Sequence, residues 1–325
     1  MATVLLALGV IAFIGSVLRY LIQDFDSEKA RRTIGSLVLN VFLPALVFHV
    51  IYTSRLGAET VQIPLVMVLS ITACIAVATV VLRLFRLPPQ ENGALILASA
   101  FGNVTYLGLP VLQGLFPALS VQVAKVAILS EITTTPLNLS LGTAIGSRFS
   151  HDQAELAGDG MGPRSSQGAW HSARTIAGQA GLEMLRLPAL WAVVIAVIWR
   201  LSGVPVPAFL LQATMLLGNT VTGLMMLSLG MGLRYQSIQR PLPLLTAAAI
   251  KLLLSPLVVF AIASWIGVQS PYFEPLVLEG AMPSQLLTFV IADRIGLDAE
   301  RLAMCILINT AACFFTIPLM RTLLF

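Results

Sequence analysis

Few residues in this chain can bind or move charge, and they stand inside apolar runs. Asn103 opens the stretch NVTYLGLP, with Gly102 before it and Gly108 and Pro110 within it. Glu279, Pro283, Ser284 and Gln285 stand in a comparable setting, LEGAMPSQLL. Lys251 lies in LTAAAIKLLLSPL, Glu131 in SEITTTPLN and His49 in NVFLPALVFHVI. Proline lacks a backbone donor and clashes with the carbonyl four residues back, so these breakers predict interrupted helices. An interrupted helix offers free N–H groups at one end, which suit an anion, and free carbonyls at the other, which suit a cation. Asn103 adds two donors and an acceptor, mirrored by Ser284 and Gln285.

The candidate substrate-binding residues are therefore Asn103, Val104, Thr105, Ser284, Gln285 and His49, the last because imidazole titrates near neutral pH. Gly102, Gly108, Pro110 and Pro283 are the candidate breakers; the plainer alternative is a pair of ordinary proline kinks. An ionisable residue at membrane depth is a functional candidate that needs a partner. Lys251 and Glu131 neutralise each other if they meet, either as a static staple or in a coupling role. Glu279, one turn before Pro283, serves either as a proton or cation site or as a partner for freed backbone. Lys125, near an outer helix end, is expected to snorkel. Asn138, Asn309, Thr133, Thr134, Thr135 and Thr316 read as interhelical glue.

The elements that must position these groups are membrane spans. Hydrophobic residues make up 57% of the 325, charged residues only 10%, and the mean hydropathy is +0.90. A soluble domain averages nearer a quarter charged residues, so the composition is that of a polytopic membrane protein. Cys74, Cys305 and Cys313 fall in apolar runs without C-x-x-C spacing and read as buried free thiols. No H-E-x-x-H, G-x-S-x-G or Walker-type motif occurs, which leaves hydrolase, zinc and nucleotide chemistry without support. The apolar N-terminus lacks a basic region before it and reads as a first span.

With about 20 apolar residues needed per span, ten are expected: 4–22, 34–52, 61–83, 93–116, 121–146, 187–202, 208–232, 242–267, 275–293 and 301–322. Residues 147–186 form a polar, Gly/Ser-rich cytoplasmic loop with a possible interfacial helix. With the N-terminus outside, 14 Lys and Arg residues fall on inner loops, and only Arg55, Arg200 and Arg321 outside. That asymmetry fixes the orientation. Sliding the chain against itself by about 182 residues superposes Pro89 on Pro271 and Pro136 on Pro318, and brings the two broken segments together. Five spans per copy is odd, so the second copy enters the membrane inverted, as in alternating-access transporters.

At these residues the chain resembles the auxin efflux carrier family, which includes the plant PIN-FORMED carriers and bacterial organic-acid permeases. Asn103 to Pro110 is similar to that family's N-x-x-x-x-G-x-P crossover. Glu279 to Pro283, followed by FVIA at 289–292, is similar to the other crossover segment, and PALVFHVI resembles the plant branch's second helix. The resemblance covers essentially the whole chain. It implies an all-α fold of about ten transmembrane helices in two inverted five-helix repeats, residues 1–146 and 187–325, related to bile-acid symporters. Helices 1, 2, 6 and 7 would form a scaffold, often dimeric, and helices 3–5 and 8–10 a transport domain with crossing broken helices 4 and 9. It further implies that Asn103 contacts a substrate carboxylate and that Pro110 and Pro283 hold the helices open. Val47 replaces a serine of the plant proteins, which separates this chain from a plant-like substrate pose.

These readings converge on a secondary active or facilitative transporter of a small organic anion, an auxin-like or dicarboxylic acid. It would work by elevator-type alternating access in a bacterial inner membrane, with both termini periplasmic. The alternative is a cation- or proton-selective channel or sensor using the same crossover. No enzyme activity, metal, cofactor or nucleic-acid partner is expected. Uniport, H+ coupling and Na+ coupling stay open, and a homodimer rests on the resemblance.

Overall fold

Short polar signals start the helices and prolines reshape them. The computed structural model describes residues 2–22, 26–53, 57–146, 149, 188–232 and 240–325. The expected cytoplasmic loop and interfacial helix at 147–186 lie outside the described residues, apart from residue 149. Helices α1 (Ala2–Leu21), α2 (Ser27–Leu37) and α3 (Leu43–Thr53) are followed by α4 (Glu59–Leu82) and α5 (Pro89–Ala100). Next come α6 (Leu109–Leu115), α7 (Ser120–Leu137), α8 (Thr143–Gly146), α9 (Pro188–Leu201) and α10 (Ala208–Gly232). The chain ends with α11 (Pro241–Ala249), α12 (Ser255–Ile266), α13 (Phe273–Gly280), α14 (Leu286–Arg294) and α15 (Ala299–Leu324). The Asp26 and Asp298 side chains cap α2 and α15 by accepting from the N–H of Lys29 and Arg301, each at 2.9 Å.

Prolines inside apolar segments are absorbed by wider turns. The π-helical segments Val38–Phe42, Val104–Gly108 and Ile250–Leu254 each end two residues before a proline, at Pro44, Pro110 and Pro256. In each case the carbonyl that would face the proline, four residues back, falls inside the π turn. The wider turn relieves the clash without ending the helix. A fourth π segment, Asn138–Gly142, follows Pro136.

Among the described residues the fold is all-helical, and the isolated antiparallel bridge between Gly102 and Ser284 is its one β pairing. Among the described residues five helical stretches are long and apolar enough to cross a membrane: Lys29–Thr53, Glu59–Phe85, Ala208–Ser228, Pro241–Ile266 and Ala299–Leu324. A sixth is counted if Val104–Leu115 and Pro117–Gly142, bent by 115°, are taken as one. Gly9–Leu18 and Pro188–Leu201 are apolar but shorter. The segments expected as single spans at 93–116 and 275–293 are each two short helices, because the chain turns extended between them.

Packing forms two groups. Helices α1, α2, α3, α9 and α10 associate with one another, and Leu46, Phe48, Ala196 and Val221 lie in their shared core. Helices α4, α5, α7 and α11–α15 bury a second core that includes Leu82, Ile96, Leu276 and Cys305. Leu109 and the Ala124–Ile128 face of α7 join the first core, and so connect the groups. All three cysteines are buried and free.

Charged ties fix the ends of the second group. Glu91 and Glu274 stand in the first turns of α5 and α13, where a carboxylate complements the helix dipole. Glu91 pairs with Arg301 at 3.1 Å and Glu274 with Arg321 at 2.7 Å, so the two ends of α15 hold the two short helices. Lys125 does not snorkel. Its side chain is fully buried, 2.6 Å from Glu59 Oε1 and 5.5 Å from the centre of the Tyr272 ring, and so ties α7 to α4 and to the turn before α13. Glu59→Leu, which removes the carboxylate from a buried ammonium, is expected to cost about 3 kcal/mol, most of it recovered by adding Lys125→Met. Thermal unfolding of the single and double variants in detergent measures this, and a double variant no more stable than Glu59→Leu would rule the pairing out as the tie.

Candidate functional site at the helix crossing

Between α5 and the Val104–Gly108 segment the backbone turns extended, with Phe101 at φ −92°, ψ 120°. Between α13 and α14, Pro283 removes a donor and the chain also leaves the helix. The two extended pieces run antiparallel and exchange backbone hydrogen bonds: Asn103 N–H donates to Pro283 O at 2.7 Å, and Gln285 N–H donates to Phe101 O at 2.9 Å. An offset of 182 residues converts one bond into the other and makes Gly102 the counterpart of Ser284. Unpaired backbone at membrane depth costs several kcal/mol per group. Here each break supplies partners for the other.

Four helix ends meet at this crossing. The C-terminal ends of α5 and α13 bring carbonyls. The Val104–Gly108 segment and α14 begin there and bring N–H groups. Asn103 caps the first of these through its carbonyl, which accepts from Gly108 N–H at 3.0 Å, and its side chain makes no capping bond. The first N–H groups from Val104 onward therefore point at the crossing. Neither end of the Asn103 side-chain amide has a hydrogen-bond partner among the described residues, although the residue is 2% exposed.

Ser284, Thr105, Thr135 and Gln285 are committed, whereas Asn138 and Asn309 donate but keep Oδ1 atoms without a partner among the described residues. Ser284 Oγ donates to Ala98 O at 2.5 Å and accepts from Asn309 Nδ2 at 2.6 Å. Thr105 Oγ1 and Thr135 Oγ1 donate to the two oxygens of Glu131 at 2.8 and 2.5 Å. Gln285 Nε2 donates to Thr135 Oγ1 at 3.1 Å, and Asn138 Nδ2 donates to Gln285 Oε1 and Thr288 Oγ1, both at 2.8 Å. One chain of hydrogen bonds thus runs from the first break, through α7, to the second. Asn138, Asn309 and Thr135 are the interhelical ties their types suggest. Thr133, however, donates to Leu129 O within its own helix, and the hydroxyls of Thr134 and Thr316 have no partner among the described residues. Thr288 escaped sequence reasoning; its signal is its position one turn beyond Ser284.

Lys251 and Glu131 do not form the expected ion pair. Glu131 is held by the two threonines, whereas Lys251 Nζ donates to Gly280 O at 2.8 Å and to Ser255 Oγ at 3.2 Å. Glu279 is fully buried, and among the described residues neither carboxylate oxygen has a hydrogen-bond partner, so it bonds none of the described backbone freed by the break. It lies against Gly108, where any Cβ would overlap Oε2. Gly108 is thus a point of close approach and Pro110 sits in the first turn of α6; the break itself falls at Gly102 and Pro283. Val104 is core. His49 on α3 faces α10, its Nδ1 lying 3.2 Å from Leu211 O and 3.3 Å from Thr214 Oγ1, and none of these partners is at the crossing.

A model of the membrane transport protein family matches residues 2–321, nearly the whole chain. The chain belongs to that family. Family membership bears out the resemblance to auxin efflux carriers and makes the protein a membrane transporter and not an enzyme. An uncharacterized transporter of Methanothermobacter thermautotrophicus is 28% identical over 324 residues, covering 98% of this chain and 97% of its own. The uncharacterized transporter MJ1031 of Methanocaldococcus jannaschii is 24% identical, covering 90% and 89%. The uncharacterized transporter YfdV of Escherichia coli is 22% identical, covering 91% and 90%.

The contact of Gly108 with Glu279 is a specific steric constraint. Gly108→Ala is expected to lose about 2 kcal/mol through overpacking. Adding Glu279→Ala makes room for the new methyl and is expected to return part of that loss, giving a coupling between two residues in contact. Melting curves of the wild type, both single variants and the double variant measure it; strictly additive losses would mean that the two positions do not touch.

Proposed function

We propose that the protein is a secondary active or facilitative carrier of a small organic anion, an auxin-like or dicarboxylic carboxylate, moved by elevator-type alternating access. The observation that carries this reading is the uncommitted amide of Asn103, buried where two helix N-termini converge. Ser284, Gln285 and Thr105 spend their side chains on internal bonds, which leaves the Asn103 amide, without a partner among the described residues, to meet a carboxylate. Convergent N–H groups at a low-dielectric crossing favour an anion. Family membership supports transport as the activity.

In this reading the ten spans form two inverted five-helix repeats, 1–146 and 187–325, joined by 147–186. The local two-fold relation of the crossing bonds supports the repeat. The group containing α1–α3, α9 and α10 is the scaffold and dimerises with a second copy; the group containing the crossing is the transport domain. The groups meet along apolar surfaces, through Leu109 and α7 and through Ile11 and Met226 against Leu107 and Val111, and an apolar boundary suits sliding. The bias of basic residues toward one side supports a bacterial inner membrane location with both termini periplasmic. Glu131, which joins the two breaks through Thr105, Thr135 and Gln285, is the residue through which site occupancy and a coupled charge can communicate.

Charge movement recorded on supported membranes tests this, with purified protein in liposomes and a panel of carboxylates applied. A saturable response to at least one acid is expected from the wild type. Asn103→Ala is expected to raise the half-saturating concentration by about tenfold or more, the loss that follows from removing a hydrogen bond to a charged group. A response that Asn103→Ala leaves unchanged would move the substrate away from the crossing. Silence toward every acid in the panel would remove the organic-anion assignment.

A further inference from the structure

The two carbonyl ends at the crossing are capped differently, and the difference falls on Lys251. The 182-residue offset relates Ala98 to Gly280 as it relates Gly102 to Ser284. At the end of α5, the hydroxyl of Ser284 donates to Ala98 O. At the end of α13 the equivalent hydroxyl is missing, because the counterpart of Ser284 is Gly102. Lys251 fills the space instead. A Cβ built on Gly102 would stand 3.2 Å from both Cε and Nζ of Lys251, and Nζ donates to Gly280 O at 2.8 Å. Ser255 Oγ completes its contacts at 3.2 Å, and Lys251 is 2% exposed.

A second observation concerns the neighbouring residue. Glu279 is fully buried, and among the described residues neither of its carboxylate oxygens has a hydrogen-bond donor and it forms no direct ion pair with Lys251. A helix-end carbonyl, a hydroxyl and a donor-free buried carboxylate make an oxygen-rich place that suits a monovalent cation. The ammonium of Lys251 stands in that place on a four-carbon tether.

We propose that Lys251 is a built-in cation. Its ammonium occupies the carbonyl pole of the crossing between Gly280 and Glu279, so that the site is balanced without an inorganic ion, and removing the side chain leaves a pocket that takes up a free monovalent cation. The consequence for transport rests on the carrier reading: the cycle runs without sodium. The cation site itself does not depend on that reading, and its test uses no substrate.

The test uses the purified full-length chain as wild type, Lys251→Ala and Lys251→Ala/Glu279→Gln. Thermal unfolding is followed in sodium, potassium, methylammonium and choline chloride at matched ionic strength, with binding of radiolabelled sodium measured alongside. Wild type is expected to bind no sodium saturably and to melt at the same temperature in all four salts. Lys251→Ala is expected to gain a saturable rise of about 2–5 °C in sodium or methylammonium, and to lose it with Glu279→Gln. Saturable sodium binding by the wild type overturns the proposal, as does a folded Lys251→Ala protein indifferent to every cation. If Lys251→Ala does not fold in any salt, Gly102→Ser/Lys251→Met decides. Its hydroxyl can serve Gly280 O as Ser284 serves Ala98 O, while Glu279 keeps its need for a cation. Stabilisation of this variant by sodium or methylammonium supports the proposal, and indifference overturns it.

Discussion

Two backbone hydrogen bonds hold this architecture at its weakest point. A membrane helix that stops half-way exposes N–H and C=O groups where no water can satisfy them, and two such helices stop here. By crossing antiparallel, each supplies the other's partners, through Asn103 to Pro283 and Gln285 to Phe101. Neither break is tolerable alone, so the two must form together and stay in register. The surrounding core and the side-chain ties serve that requirement. Arg301 and Arg321, at opposite ends of α15, hold the outer ends of α5 and α13. The chain from Thr105 through Glu131 to Gln285 and Asn138 holds the inner ones.

Once the crossing is formed, its electrostatics follow. Two helix N-termini and two C-termini converge within a region that excludes solvent, where partial charges are weakly screened. The carbonyl ends receive a hydroxyl in one half and an ammonium in the other. The N–H ends meet the free amide of Asn103. Such a place discriminates by charge before it discriminates by shape.

Prolines divide into two kinds here, although the sequence writes them alike. Pro44, Pro110 and Pro256 follow π turns and leave their helices continuous. Pro283 lies where the chain leaves the helix. What separates them is the partner: only at Pro283 does another broken segment stand ready to bond the freed carbonyl. Glycines divide the same way. Gly102 sits in the bridge and leaves room for Lys251, while Gly108 admits the Glu279 carboxylate.

The sequence by itself determined the class of the fold and the segments in which two helices break. Apolar length and scarce charge require membrane helices, breakers at corresponding distances mark the two interruptions, and the N-x-x-x-x-G-x-P pattern points to the family. Those properties are local, written in composition and spacing along one segment at a time. Which side chains meet was decided only by the tertiary structure. Lys251 and Glu131 invite pairing on paper, yet Lys251 turns to Gly280 and Glu131 to two threonines, because helix rotation and tilt set those distances. Lys125 has the length to snorkel but meets Glu59 across the packed group. His49 faces α10 for the same reason. The Asn103 side chain is left without a partner among the described residues, and no spacing rule foretells an absence that depends on every neighbour at once.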